Sequence, residues 1–152
     1  MFRGLTTVNL DAKGRLAVPA RFRERLAALD SSDLVLTLNP WDKCLWLYPV
    51  MEWELIEEKL SGLSDFNRET RRTKQIMRGH AADVSCDAQG RILLPPELRD
   101  IASLEKQVAL LGQGNKLEIW DAARWHTERD AWLDDVGTGK AASSSALETL
   151  AL

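Results

Sequence analysis

A segment of 16 residues occurs twice in this chain, and this repetition constrains the fold more than any other feature of the sequence. Residues 8–23 read VNLDAKGRLAVPARFR, and residues 84–99 read VSCDAQGRILLPPELR. The shared Asp, Gly, Arg and Pro residues lie 76 positions apart. A second block, LWLY at residue 45, has a counterpart LEIW at residue 117. The sequence therefore predicts two copies of a unit of roughly 50 residues.

The first copy is predicted to begin with a hairpin. A strand over residues 6–10 leads into the turn Asp11-Ala-Lys-Gly14, and residues 15–18 form the returning strand. Asp at the first turn position and Gly at the fourth are typical of a type I turn followed by a left-handed residue. Pro19 ends the returning strand, and it can open a helix because its missing N–H would have no partner there.

The remaining elements of both copies follow the same order. In the first copy the helix extends to about residue 29, and a second hairpin pairs residues 34–38 with 44–48. In the second copy the predicted elements are strands 83–86 and 91–94 around the turn 87–90, a helix near 96–102, and a hairpin of strands 108–112 and 117–120. Each copy thus has four short strands and one short helix.

The segment between the copies is predicted to be helical. Apolar residues recur there at three- and four-residue spacing, which gives a helix one apolar face: Val50, Trp53, Ile56, Leu60 and Leu63. A basic helix follows to about residue 78, and residues 122–133 form a last helix. The predicted organisation is two similar domains at 5–51 and 81–124, a helical connector at 52–80, a C-terminal helix at 125–136 and a disordered tail at 137–152.

Neither copy can bury a core alone, because an isolated two-stranded hairpin is marginally stable. We therefore expect the two copies to interlock with each other or with another chain. Closing a small barrel would remove the exposed strand edges. The expected fold class is α+β and rich in β-structure, with helices flanking the strands.

Composition excludes several classes of protein. Apolar residues make up 45% of the chain and charged residues 28%, which is ordinary for a soluble domain. The sequence has neither the run of about 18 apolar residues that a membrane helix needs nor a secretory signal. Cys44 and Cys86 are too few for a disulfide scaffold or a four-thiolate zinc site. We expect a cytoplasmic protein without metal or cofactor, and no catalytic residues can be assigned, so we do not expect an enzyme.

Charge is distributed unevenly along the chain. The net charge of −3 counts weakly against a simple nucleic-acid binder. Residues 1–30, however, carry six basic side chains against three acidic ones, and residues 61–80 carry five against two. Residues 41–60 and 121–152 have an acidic excess. An acidic protein of this kind can still present basic edges.

The Asp-x-x-Gly-Arg motif of the two turns has two interpretations. The carboxylate can accept hydrogen bonds from turn N–H groups and hold the arginine side chain at the tip of a hairpin. A rigid guanidinium there suits bidentate recognition of a phosphate or a guanine edge, and a two-stranded ribbon fits the major groove of DNA. Alternatively, each motif is a hairpin turn with a surface ion pair, which contributes about 0–1 kcal/mol. The residues alone leave both open.

The sequence resembles the bacterial MraZ family over residues 1 to about 135. The segments that carry the resemblance are MFRG at residue 1, residues 8–23, LYP at 47, WE at 53, GHA at 79, DAQGR at 87 and NKLEIWD at 115. The two hairpin blocks are the most specific of these segments. Residues after about 137 carry no diagnostic motif.

The resemblance implies a fold and a function. Members of the family consist of two AbrB-like, swapped-hairpin halves that form a small double-ψ-like barrel. They assemble into rings and bind short direct repeats of double-stranded DNA in the promoter of the division and cell-wall gene cluster. They act as transcriptional regulators, usually repressing that cluster and their own gene. The resemblance thus implies a nucleoid-associated homo-oligomer that binds neither a membrane nor a small-molecule substrate.

The resemblance also implies roles for individual residues. The side chains expected to contact DNA are Lys13, Arg15, Arg91 and Arg3. Those expected to shape the turns and orient the arginines are Asp11, Gly14, Asp87 and Gly90. Gln89 occupies the position of Lys13 in the second copy, which puts an equal role of the two turns in doubt. The alternative from another class is an oligomeric protein-interaction module without specific DNA binding.

Overall fold

The structure is a computed structural model that describes residues 1–29, 32–139 and 145–150. Its strands are β1 (Phe2–Asn9), β2 (Arg15–Ala17), β3 (Asp33–Leu38), β4 (Leu45–Pro49), β5 (Ala82–Ser85), β6 (Arg91–Leu93), β7 (Gln107–Gly114) and β8 (Leu117–Asp121). Its helices are α1 (Ala20–Ala28), α2 (Val50–Ser61), α3 (Arg68–Gly79), α4 (Pro96–Ile101), α5 (Ala122–Gly137) and α6 (Ser145–Glu148). The predicted elements are all present within a few residues of their expected bounds. The α+β class, rich in β-structure, is confirmed.

The strands form two sheets that are symmetric with respect to the repeat. Six strands pair antiparallel in the order β1-β7-β8-β4-β3-β5, and β2 pairs antiparallel with β6. If each strand is replaced by its counterpart in the other copy, the result is the same strand order read from the opposite edge of the sheet. A pseudo-two-fold axis therefore passes between β4 and β8 and between β2 and β6.

The predicted pairing of the first hairpin in each copy is wrong. The turns form, but β2 does not return along β1: β1 pairs with β7, and β2 pairs with β6 of the other copy. In the same way, β5 pairs with β3 of the first copy. The second hairpins, β3–β4 and β7–β8, form as predicted. The two copies thus exchange strands within one compact unit, Met1–Ala122, and the expectation that they interlock is confirmed.

One hydrophobic core serves both copies. Leu16 of β2 and Ile92 of β6 lie opposite each other and are 0% exposed. They pack in a cluster with inward-facing residues of the large sheet and with Phe22 of α1 and Leu98 of α4. Since each copy supplies half of this cluster, neither half is expected to be stable without the other.

The contact between β1 and β7 requires a glycine. Gly112 lies opposite Gly4, and a Cβ placed on Gly112 would lie 2.2 Å from the backbone nitrogen of Arg3. Backbone atoms on this strand cannot move aside without breaking the ladder. The close approach therefore depends on the absence of a side chain at this position.

Helix α2 packs against β3 and β4, and α3 packs against β3. Thr37 of β3 is fully buried, and its hydroxyl donates to the carbonyl oxygen of Met77 in α3 at 2.6 Å. The apolar face predicted for the connector is used, since Trp53 and Leu60 of α2 are buried. Asn67 caps α3 by accepting hydrogen bonds from two backbone N–H groups of its first turn.

The second compact unit comprises Ala123–Leu152. It contains most of α5, in which Arg124 pairs with Glu128 at 3.1 Å, and the short helix α6. The disorder predicted for 137–152 stays a prediction, because residues 140–144 and 151–152 lie outside the described part. Among the helices of the described residues, none combines the length and apolarity needed to cross a membrane.

Candidate nucleic-acid interface

The β2–β6 ribbon places the arginines of both motifs on the same face. Alternation along each strand directs Leu16 and Ile92 into the core, so that Arg15 and Arg91 lie on the opposite, solvent-facing side. In the ladder Arg15 is opposite Leu93, two positions from Arg91. Their Cα atoms are therefore about 8 Å apart on this diagonal. The pairing of strands from different copies thus brings together two motifs that are 76 residues apart.

The first turn is held by one carboxylate. Asp11 Oδ1 accepts hydrogen bonds from the backbone N–H groups of Lys13 at 2.9 Å and Arg15 at 2.8 Å. Its Oδ2 accepts from Nε of Arg15 at 2.6 Å. Within the described residues no hydrogen bond engages the terminal Nη groups of Arg15. The guanidinium is therefore oriented through Nε, and the side chain of Arg15 remains 31% exposed.

The second turn has the same geometry with one difference. Asp87 accepts from the N–H groups of Gln89 and Arg91 and from Nε of Arg91 at 2.9, 2.8 and 2.9 Å. The Gln89 side-chain oxygen, however, accepts from Nη2 of Arg91 at 3.4 Å. In the first turn Lys13 stands at this position and adds a second cation instead. The two turns are therefore similar in shape and unequal in charge.

Glycine is required at the fourth position of each turn. Gly14 and Gly90 have φ angles of +80° and +74°, in the left-handed region that favours glycine. Their N–H groups donate to the carbonyl oxygens of Asp11 and Asp87, which closes each turn as predicted. Both glycines are buried.

Each turn is also bonded to the other copy. The backbone N–H of Val18 donates to the carbonyl of Gly90, and that of Leu94 donates to the carbonyl of Gly14, both at 3.0 Å. Two arginines that the sequence analysis did not assign to the site, Arg23 and Arg99, lie beside these glycines. They occupy equivalent positions in the repeat, so the signal that could have identified them was the repetition itself.

Arg3 lies apart from the ribbon. Arg3 lies on β1, opposite Gln113. Asn9, at the other end of this strand, is six residues further along the chain and two residues before the first turn. Six residues of a strand span about 20 Å. Arg3 lines a separate small cavity of about 170 Å³ with Arg21 and Arg25 of α1. The structure thus brings Lys13, Arg15 and Arg91 together but not Arg3.

Acid is expected to loosen the first turn. The backbone N–H of Arg15, with its side chain and the N–H of Lys13, lowers the Asp11 pKa from 3.8 to about 2. A depressed pKa in the folded state stabilises the fold above the ordinary pKa, and this contribution is lost as pH falls from 3.8 towards 2. Titration of the carboxyl carbon by NMR should give the low value, and Asp11→Asn should flatten the decline in stability over that interval. An ordinary pKa would contradict the geometry.

The pKa of the Asp87 carboxyl in the second turn is also lowered. The chief cause is the backbone hydrogen bond from Arg91.

Burial, in contrast, raises the pKa of the neighbouring Cys86 thiol, which disfavours the reactive thiolate. Among the described residues, no three His, Cys, Asp or Glu side chains are arranged to hold a metal ion.

Comparisons with known proteins agree with this architecture. The sequence model of a family described as "MraZ protein, putative antitoxin-like" matches residues 1–76 and again 77–131. A protein of Halorhodospira halophila is 47% identical over 152 residues, which cover 100% of both chains. One from Thiobacillus denitrificans is 52% identical over 128 residues, covering 84% of this chain and 86% of the relative. One from Marinomonas is 48% identical over 133 residues, or 88% of each chain. All three relatives bear the name Transcriptional regulator MraZ.

Proposed function

The chain belongs to the MraZ family of transcriptional regulators, and on this premise we propose that it recognises double-stranded DNA through the β2–β6 ribbon. Arg15 and Lys13 of the first turn and Arg91 of the second make the contacts. Asp11 and Asp87 hold the arginines in place. The observation that carries the proposal is the presence of two carboxylate-oriented guanidinium groups on one solvent-facing side of a two-stranded ribbon.

The dimensions and chemistry of the ribbon support a contact in the major groove. A two-stranded β-ribbon fits that groove, and an arginine with free Nη groups can donate two hydrogen bonds to O6 and N7 of guanine. Fixing Nε to a carboxylate reduces the rotamer entropy that the arginine loses on binding. Lys13 adds a flexible charge suited to a phosphate. The first turn therefore reads bases, while the second, with Gln89 beside its arginine, contributes less.

A homo-oligomer reconciles a net charge of −3 with binding to DNA. One subunit presents few cations and binds weakly. Several ribbons on one ring engage several DNA repeats at once, and linkage of the sites raises the overall affinity through effective concentration. The acidic segments are then directed away from the DNA. Arg3, on its separate surface, contacts the backbone beyond the bases that the ribbon reads.

The target we propose is a set of short direct repeats in the promoter of the division and cell-wall gene cluster. Binding there represses the cluster and the protein's own gene, and the protein is associated with the nucleoid. This part of the proposal derives from the family resemblance. A ring with equivalent ribbons at regular intervals suits repeats in a single orientation, because each subunit then meets the same sequence.

A binding titration tests the proposal. The DNA upstream of the gene that encodes this protein is compared with a shuffled fragment of the same length, at several salt concentrations. We expect at least a hundredfold preference for the natural fragment, and a salt slope of about 0.9 per phosphate neutralised. Equal affinity for both fragments at moderate salt would contradict specific recognition and would favour a protein-interaction module.

A further inference from the structure

Arg23 and Arg99 lie against the turn of the opposite copy. A Cβ placed on Gly14 would be 2.6 Å from Cζ of Arg99, and one placed on Gly90 would be 2.6 Å from Cδ of Arg23. The side chain of each arginine therefore covers the Cα of a turn glycine that belongs to the other repeat. The arrangement obeys the pseudo-two-fold axis, since the two pairs are equivalent in the repeat.

From this geometry we infer that Arg23 and Arg99 are crosswise positioning residues: each fixes the turn that presents the arginine of the other copy. Arg99 of the second copy holds the turn of Arg15, and Arg23 of the first copy holds the turn of Arg91. This inference rests on the proposed function of the ribbon, but the positioning itself can be measured without DNA.

The surroundings of the turns explain why they need such support. Each turn borders an open cavity of about 410 Å³, one that includes Arg99 and Asp11 and another that includes Arg23 and Asp87. The side chains of Arg99 and Arg23 lie directly over Gly14 and Gly90, and both glycines are buried.

The two arginine side chains are held in different ways. Nε of Arg23 donates to the carbonyl of Val18 at 3.0 Å, and the N–H of Val18 in turn donates to Gly90. Arg99 lies at the last turn of α4, and its buried Nε has no hydrogen-bond partner among the described residues. Packing over Gly14, rather than a hydrogen bond of Nε, therefore defines its position.

Hydrogen–deuterium exchange in the full-length protein tests the inference. Peptides that contain Gly14 or Gly90 are followed by mass spectrometry in the wild type, Arg99→Ala and Arg23→Ala. We expect Arg99→Ala to accelerate exchange around Gly14 about tenfold and to leave Gly90 unchanged, and Arg23→Ala to do the reverse. Arg25→Ala, which removes an exposed arginine from the same helix as Arg23, is the control and should change neither peptide.

DNA binding by the same variants provides a second measurement. Arg99→Ala should weaken binding to the natural fragment about three- to tenfold, and Arg99→Lys, which keeps the charge and the stem, should recover part of the loss. Unchanged exchange with weaker binding would mean that the arginines touch DNA directly and would overturn the inference. Equal acceleration at both glycines would overturn it as well. If exchange changes crosswise but no variant binds DNA selectively, the positioning holds and the proposed function fails.

Discussion

Arg15→Ala is expected to reduce affinity for the natural upstream DNA about 10- to 100-fold for each repeat engaged, because a bidentate arginine–guanine contact contributes about 1–3 kcal/mol. Every subunit of an oligomer carries the change, so the loss multiplies over the repeats engaged. Affinity for shuffled DNA should fall much less, since only a charge is lost there. Fluorescence anisotropy at fixed salt measures both quantities.

Two further variants test whether the loss of DNA affinity is specific to Arg15. Arg91→Ala should cost less than Arg15→Ala, because Nη2 of Arg91 is already engaged by Gln89 and no lysine stands beside it. Arg68→Ala removes the same charge from the exposed start of α3 and should leave selectivity unchanged. Light scattering verifies that all variants have the same assembly state. Retained selectivity in Arg15→Ala would place base recognition elsewhere.

Leu16→Ala is expected to destabilise the whole Met1–Ala122 unit by about 2–5 kcal/mol, the usual cost of emptying a fully buried leucine site. Leu16 contacts a core that both copies build, and β2 pairs with a strand of the other copy. Both copies should therefore unfold in one cooperative transition at a lower denaturant concentration. Urea denaturation at a fixed protein concentration gives the midpoint and the slope.

Leu93→Ala is the matched control for this measurement. Leu93 lies on the same ribbon as Leu16 but on its outer face, where it is 56% exposed. Its removal should change stability by less than about 0.5 kcal/mol. Two separate transitions in Leu16→Ala, with only one of them shifted, would show that the copies are independent domains and would contradict the shared core.

Local features of the chain were predictable from adjacent residues. The turns at Asp11 and Asp87 follow from Asp and Gly at fixed spacing, since only a few neighbouring residues decide a turn's conformation. Proline placement located the starts of α1 and α4. The hairpins β3–β4 and β7–β8 also followed from short loops. The motif residues of the two turns are therefore recognisable from the sequence without any contact between the copies.

The strand partners could not be obtained in the same way. Backbone hydrogen-bonding groups are the same in every strand, so an alternating segment such as residues 6–10 shows that a strand forms but not with which strand it pairs. Proximity along the chain favoured the wrong partner for β1 and β2. The correct one depends on burying Leu16 against Ile92, a contact between residues far apart in sequence.

The sequence likewise indicates which residues form the site, whereas the tertiary structure decides how they are arranged. Sequence repetition was sufficient to show that Asp11–Arg15 and Asp87–Arg91 are equivalent pairs and that Lys13 and Gln89 are not. The exchange of strands is what places both arginines on one face and sets Arg99 over Gly14. A turn is a local property of a few residues, whereas a shared face arises only when distant segments bury their apolar sides together.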